Sequence, residues 1–149
     1  MTNQTQARSA WMAVLATSEA ESLERAWERL PSRPGYEYLR RPETGMVMVR
    51  ARTGNTGGRF NLGEMTVTRC MVRLENGIEG FGYVAGRSLC HAELAAVFDA
   101  MLQDRDHQLS VMTRVIEPLA RAREERVMAQ SRDTESTRVD FFTMTRGED

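Results

Sequence analysis

The sequence predicts an α+β protein, an antiparallel β-sheet meander flanked by N-terminal and C-terminal helices. Three observations carry this. Apolar residues at helical spacing occur early, at Leu23, Ala26, Trp27 and Leu30, and late, at Leu94, Phe98, Met101 and Leu102. Strand-like runs lie between them, and Asn76-Gly77 between two of those runs marks a hairpin. No internal repeat or low-complexity linker interrupts the 149 residues, so they read as one domain: helices about 5–30, sheet about 36–84, helices about 88–131 and an apolar tail 138–146.

A first helix is expected through Arg8 to Ala16. A second starts at Ser18, where Ser18 and Glu21 have capping-box spacing, and Pro31 with Pro34-Gly35 stops it. Tyr36 to Arg40 reads as a short strand and Met46 to Arg52 as a stronger one, with a Gly-rich loop before Arg59 to Leu62. Met65 to Leu74 follows, then a two-residue turn at Asn76-Gly77 and a return strand, Ile78 to Val84, thinned by Gly80 and Gly82. After Gly86 the pattern is helical again. A helix of about Gln108 to Ile116 is expected to bury Leu109, Met112, Val115 and Ile116, and Pro118 breaks it or opens a new one. Arg121 to Arg132 is mostly charged, and therefore solvated or facing a partner. Val139, Phe141, Phe142 and Met144 form an apolar knot in the tail.

Composition excludes several classes. With 41% hydrophobic residues and a formal net charge of -1, the chain is not disordered by composition and lacks the basic excess of a nucleic-acid binder. All 20 basic residues are arginine, so neither a Schiff base nor a P-loop lysine is available. The apolar run Trp11 to Ala16 is too short for a signal-peptide core or a membrane span, and a cytoplasmic location without membrane association is expected. Cys70 and Cys90 match no zinc or redox spacing and are read as buried free thiols.

The charge is unevenly distributed. Residues 40–73 hold seven arginines against Glu43 and Glu64, a surplus of five, whereas residues 74–149 hold nine arginines against 14 acids, a deficit of five. By strand alternation Met46, Met48, Arg50 and Arg52 share one face, and Met65, Val67, Arg69, Met71 and Arg73 share another. Aligned, these strands would make one Met and Arg surface, either a docking face for an acidic partner or phosphorylated ligand, or an ordinary solvated face.

Individual motifs are weaker. Thr53-Gly54-Asn55-Thr56-Gly57-Gly58-Arg59 is either an amide nest for an anion or a plain hairpin loop; without a lysine or a following helix it is no P-loop. Arg52, Gly57, Gly58, Arg59 and Arg69 are the phosphate-binding candidates, and Arg50 and Arg73 the interface candidates on the sheet. Gly80, Gly82 and Gly86 are one residue too long for a dinucleotide fingerprint, and a bulged strand and a turn explain them better. His91 and Glu93 project about 200° apart on a helix and cannot jointly hold a metal. His91, sharing a face with Leu94 and Ala95, reads as a packing residue or, like Glu93, a weak catalytic candidate. Glu64, set among arginines, reads as half of a structural ion pair or a general base. No metal site is expected.

Taken in order, these segments resemble one family. The match runs from Trp11-Met12 and Val14-Leu15-Ala16 through Glu43-Thr44-Gly45. Its centre is Thr56-Gly57-Gly58-Arg59-Phe60, Gly63-Glu64 and Thr66-Val67-Thr68-Arg69. It continues with Tyr83-Val84, Gly86-Arg87, His91-Ala92-Glu93 and Asp99-Ala100, and closes on Arg138-Val139-Asp140-Phe141-Phe142-Thr143-Met144 and Arg146-Gly147. This set resembles PhnG, a small subunit of the bacterial carbon–phosphorus lyase system for phosphonate degradation. Ser88 departs from the family pattern, in which an acid follows Gly-Arg.

The resemblance implies a hetero-oligomer with PhnH-, PhnI-, PhnJ- and PhnL-like proteins. With PhnH, PhnI and PhnL, such a subunit would take part in transferring the ribose triphosphate of ATP to methylphosphonate, releasing adenine and giving ribose 1-methylphosphonate 5-triphosphate. The nucleosidase activity is associated with PhnI, so an accessory subunit is implied. It would bind no cofactor of its own, ATP being a substrate of the complex. Phe141, Phe142 and Met144 become candidate interface anchors. The rival expectations are a subunit that lends Arg52, Arg59 and Arg69 to the active site, and a free-standing anion- or nucleotide-binding module.

Overall fold

A computed structural model describes residues 2–54 and 56–136, with the side chains of residues 4–54 and 56–133. Phe141, Phe142 and Met144, expected as interface anchors in the tail, lie outside the described residues. The architecture is α+β as the sequence predicts: α1 (Thr2–Thr17), α2 (Ala20–Arg29), β1 (Tyr36–Arg52), β2 (Arg59–Leu74), β3 (Glu79–Ala85), α3 (Leu89–Gln103), α4 (Arg105–Val111) and α5 (Glu117–Ser136). The strands form an antiparallel meander, β1-β2-β3.

The N-terminal helices differ from expectation at their junction. The capping box is absent: the Ser18 hydroxyl donates back to the Val14 carbonyl at 2.6 Å, and Glu19 caps α2 without a side-chain bond. A serine that bonds within the preceding helix is not free to cap the next one. Leu23 and Leu30 are buried as their spacing requires, with Trp27 packed edge-on against Phe98 at 5.9 Å.

The strands are longer than they read. Tyr36–Arg52 is one strand because register shifts between Tyr38 and Arg40 and between Arg40 and Glu43 absorb extra residues around Pro42. Proline is tolerated there because β1 is an edge strand. Arg59–Leu74 is likewise continuous, with a further shift opposite Val49 and Arg50. The connection after β2 is a three-residue loop, not the two-residue turn expected. Gly77 donates to the Leu74 carbonyl and Leu74 to that of Ile78, both at 2.9 Å, with only Gly77 at positive φ (86°). This is a type I turn closed by a left-handed residue, whereas a type I′ turn would need positive φ at two positions.

The core lies between the sheet and the helices, centred on α3. Val72, Val84, Val97, Phe98 and Leu102 are fully buried, and Leu15, Leu23, Val111 and Val115 close over them. Gly80 and Gly82 sit in regular β2–β3 register, so they mark no bulge. Their role is contact: a Cβ at Gly82 would lie 1.9 Å from the Ala92 carbonyl oxygen, and one at Gly80 would lie 2.0 Å from that of Ala96. Ala92, Ala96 and Ala100, one helical turn apart, complete a small-residue stripe against β3. Ser88 caps α3 by accepting from the His91 amide at 3.2 Å, a task an acid at this position would perform equally well.

After α3 the chain stays helical from Arg105 to Ser136, with a π-helical segment at Met112–Ile116. Pro118 has no N–H to continue the ladder, and the wide i→i+5 bond from Glu117 N–H to the Met112 carbonyl directly precedes it. Proline thus falls in the opening turn of α5. The segment buries Val111, Val115 and Ile116, but Leu109 is 78% exposed, contrary to expectation, because α4 starts at Arg105 and turns its apolar face through Val111. Cys70 is buried; Cys90, expected to be buried, lies exposed in the first turn of α3.

Candidate functional site

Beyond β3 the first two strands continue alone. The sheet is three-stranded only where Val67–Arg73 pair with Ala85–Glu79; from Met46 to Thr66, β1 and β2 form a bare two-stranded ribbon. None of its described residues is buried. At about 3.3 Å per residue, the seven residues Met46–Arg52 project roughly 23 Å.

Register assigns the side chains to faces. Met46 pairs with Thr66, Met48 with Glu64, Arg50 with Asn61 and Arg52 with Arg59, while Val47 pairs with Met65, Val49 with Gly63 and Ala51 with Phe60. Directly paired residues point the same way. One ribbon face therefore carries Met46, Met48, Arg50, Arg52, Arg59 and Glu64. The other is apolar: Val47, Val49, Ala51, Phe60 and Met65. This overturns the single Met and Arg surface, since Met65, Val67, Arg69, Met71 and Arg73 lie on the face opposite Arg50 and Arg52. Alternation within each strand holds; the relative register puts Val47, not Met46, beside Met65.

The structure brings together part of the phosphate-binding set. Arg52 and Arg59 are cross-strand partners at the ribbon tip, beside the loop holding Gly57 and Gly58. Like charges placed directly opposite repel, and among the described residues neither Arg50, Arg52 nor Arg59 enters an ion pair. Arg69 lies ten residues along β2, about 33 Å away. There its Nε donates to Glu43 Oε1 at 2.7 Å, an oxygen that also accepts from Arg40 at 2.7 Å. These two arginines hold the exposed Glu43 carboxyl below its usual range. Arg73 is engaged by Glu79 at 2.7 Å and Glu37 at 3.6 Å, so it is separated from Arg50. Glu64 is exposed on the ribbon and makes no ion pair among the described residues; Glu43 takes the arginines that Glu64 was expected to meet.

The remaining candidates are held inside the body. His91 is 7% exposed, with Nε2 2.8 Å from the Leu15 carbonyl, fastening α3 to α1. Glu93 faces β1, where the hydroxyls of Tyr36 (2.6 Å) and Tyr38 both donate to its Oε1. Burial, then the bond to Glu93, pushes the Tyr36 phenol far above its ordinary value. The bond to Glu93, then burial, pushes Tyr38 up to about 12. Both phenols stay protonated at neutral pH and act as donors, so the cluster braces β1 against α3. His91 and Glu93 do not meet. Burial also pushes the Cys70 thiol up to about 11; desolvation and Glu24 do the same for Cys90.

Two features escaped the sequence reading. Asp99 is fully buried and accepts from Arg8 Nε (3.2 Å) and Nη2 (2.7 Å), Trp11 Nε1 (2.9 Å), the Phe81 amide (3.0 Å) and Gln103 Nε2 (3.3 Å). An acid inside an otherwise apolar helical face was the available signal. A groove of about 410 Å³ between α2 and the C-terminal helices is lined by Arg25, Arg29 and Arg114; residues so distant in sequence gave no signal. Among the described residues, no three His, Cys, Asp or Glu side chains are placed to hold a metal, and no helix is long and apolar enough to cross a membrane.

The whole is a small α+β protein in which buried His91 and Asp99 serve the body's own packing and a two-stranded ribbon carries opposed arginines at its tip. Comparison supplies the family. The family described as "Phosphonate metabolism protein PhnG" matches residues 6–147. A protein of Rhizobium meliloti (strain 1021), named "Alpha-D-ribose 1-methylphosphonate 5-triphosphate synthase subunit PhnG", is 43% identical over 138 residues, covering 93% of this chain and 88% of that protein. The chain belongs to the PhnG family.

Proposed function

We propose that the chain is an accessory subunit of an alpha-D-ribose 1-methylphosphonate 5-triphosphate synthase, serving phosphonate breakdown in the cytoplasm. The observation that carries this reading is the 43% identity over nearly the whole length of a protein bearing that name. In the reading, PhnH-, PhnI- and PhnL-like partners transfer the ribose triphosphate of ATP to methylphosphonate with release of adenine, and a PhnJ-like protein joins the assembly. Such a displacement needs acid help at the leaving base and a clamp on the triphosphate. The engagement of His91 with Leu15 and of Glu93 with two tyrosines supports an accessory over a catalytic role. The chain needs no cofactor of its own.

The test is reconstitution. Partner proteins with ATP and methylphosphonate should form adenine and the ribose phosphonate product only when this chain is added, and the chain alone should show no turnover. Full activity of the partners without it would overturn the reading. Arg52 and Arg59, opposed and without an ion pair among the described residues, favour a second reading, in which the ribbon tip clamps phosphate. Arg59→Ala would then lower turnover in a fully assembled complex.

A further inference from the structure

Among the described residues, nothing packs on one face of the ribbon of residues 46–66. A two-stranded hairpin is marginal in water unless something packs on it, and here one face is apolar from end to end. Phe60 is 44% and Met65 43% exposed, and Val47, Val49 and Ala51 are half-buried. Among the described residues no helix closes over this face, although helices cover the other side of the sheet. On the same side of β3, beyond the Arg69–Glu43 ion pair, lie Tyr83, 49% exposed, and Phe81, 41% exposed. Contiguous exposed apolar surface like that of the ribbon face marks an interaction site.

Charge identifies the occupant. The ribbon carries Arg50, Arg52 and Arg59 against Glu64, a surplus of two, and its three arginines are unpaired among the described residues. Arg52 and Arg59 directly oppose each other at the tip, an arrangement that carboxylates from outside would relieve. A second copy would bring the same arginine-bearing ribbon and repel it. A different polypeptide with an apolar surface bordered by carboxylates fits both features.

We propose that residues 46–66 are a docking arm. In this assignment the face of Val47, Val49, Ala51, Phe60 and Met65 seats on an apolar surface of another subunit of the synthase, and carboxylates of that subunit reach round the tip to Arg52 and Arg59 on the opposite face. The proposal rests on the accessory-subunit reading and adds where the subunit is held.

The experiment uses the full chain co-expressed with the other synthase subunits. Hydrogen exchange of residues 46–66 is compared in the free chain and the complex, and affinity is measured for Phe60→Glu, Met65→Glu and the double variant Arg52→Gln with Arg59→Gln. All three place changes on exposed side chains, and an unchanged Tm of each free variant verifies its fold. The ribbon amides should exchange rapidly in the free chain and be protected in the complex. Each glutamate variant should bind at least tenfold more weakly, and the arginine double variant should lose most of the salt dependence of binding. If wild type assembles while the ribbon stays unprotected and Phe60→Glu binds normally, the docking arm is refuted and the accessory-subunit reading stands. Failure of wild type to assemble with any synthase subunit refutes both. Protection of the ribbon in a dimer of the chain alone overturns the assignment in favour of a second copy. Normal assembly with slow turnover in the arginine double variant overturns the tip contacts in favour of phosphate clamping.

Discussion

At the scale of single residues, this fold is set by close approach more than by bulk. Gly82 and Gly80 exist because the α3 backbone lies on β3, with Ala92, Ala96 and Ala100 as the facing stripe. We expect Gly82→Ala to destabilise the chain by about 2–3 kcal/mol, the upper part of the overpacking range, since the clash is with a backbone carbonyl and no side-chain rotamer relieves it. Gly45→Ala, where an added Cβ meets nothing within 4 Å, should change stability by no more than about 0.5 kcal/mol. Urea denaturation of both variants checks the contrast; equal effects would mean that α3 and β3 move apart at little cost. The sequence showed these glycines but not their reason. A glycine that admits a bulge and one that admits a helix look identical until the partner is known.

At the scale of elements, Asp104 joins α3 to α4. It ends the first and caps the second, accepting from the Asp106 amide at 3.3 Å and lying 2.6 Å from His107 Nδ1. The bond to His107, aided by the Asp106 amide, holds its carboxyl below the usual aspartate range. A carboxyl lowered in the folded state adds stability above its unfolded pKa, about 3.9, and loses it as pH falls through the folded value. Asp104→Ala should therefore cost about 1 kcal/mol at pH 7, the ordinary worth of an N-cap, and the gap from wild type should shrink steadily as pH drops from about 4. Paired denaturation curves across that range measure it; a gap that widens in acid would refute the assignment. Helices such as α3 were legible because their apolar spacing is local. The strands were legible in kind but not in length, because Tyr36 to Arg40 and Met46 to Arg52 read as two strands, and only pairing with β2 shows that bulges absorb the residues between them. Face parity was the larger loss. Met46 and Met65 each declare a face within their own strand, yet which faces coincide depends on register.

At the scale of the molecule, a near-neutral chain divides into a packed body and a charged, unpacked arm. The surplus of arginines in residues 40–73 was visible in the sequence, and so was the family. Its division was not: on the body Arg40, Arg69 and Arg73 are neutralised by Glu43, Glu37 and Glu79 and Arg41 lies over the Tyr38 ring, which leaves Arg50, Arg52 and Arg59 exposed on the ribbon. This division makes the body's independence testable. Gly45 and Val67 are register partners at the ribbon base, so a two-residue Asn-Gly turn can join them in place of residues 46–66. No described residue of that segment is buried, and every residue of the main core cluster lies outside it. The excised chain should thus keep its far-UV circular dichroism per residue in the body and melt within about 4 °C of wild type, the shift expected for roughly 1 kcal/mol. It should also fail to assemble with the synthase subunits that hold the intact chain. A fall in Tm beyond about 10 °C would show that the ribbon belongs to the cooperative core after all, because only surface that the body itself buries contributes to the body's own stability.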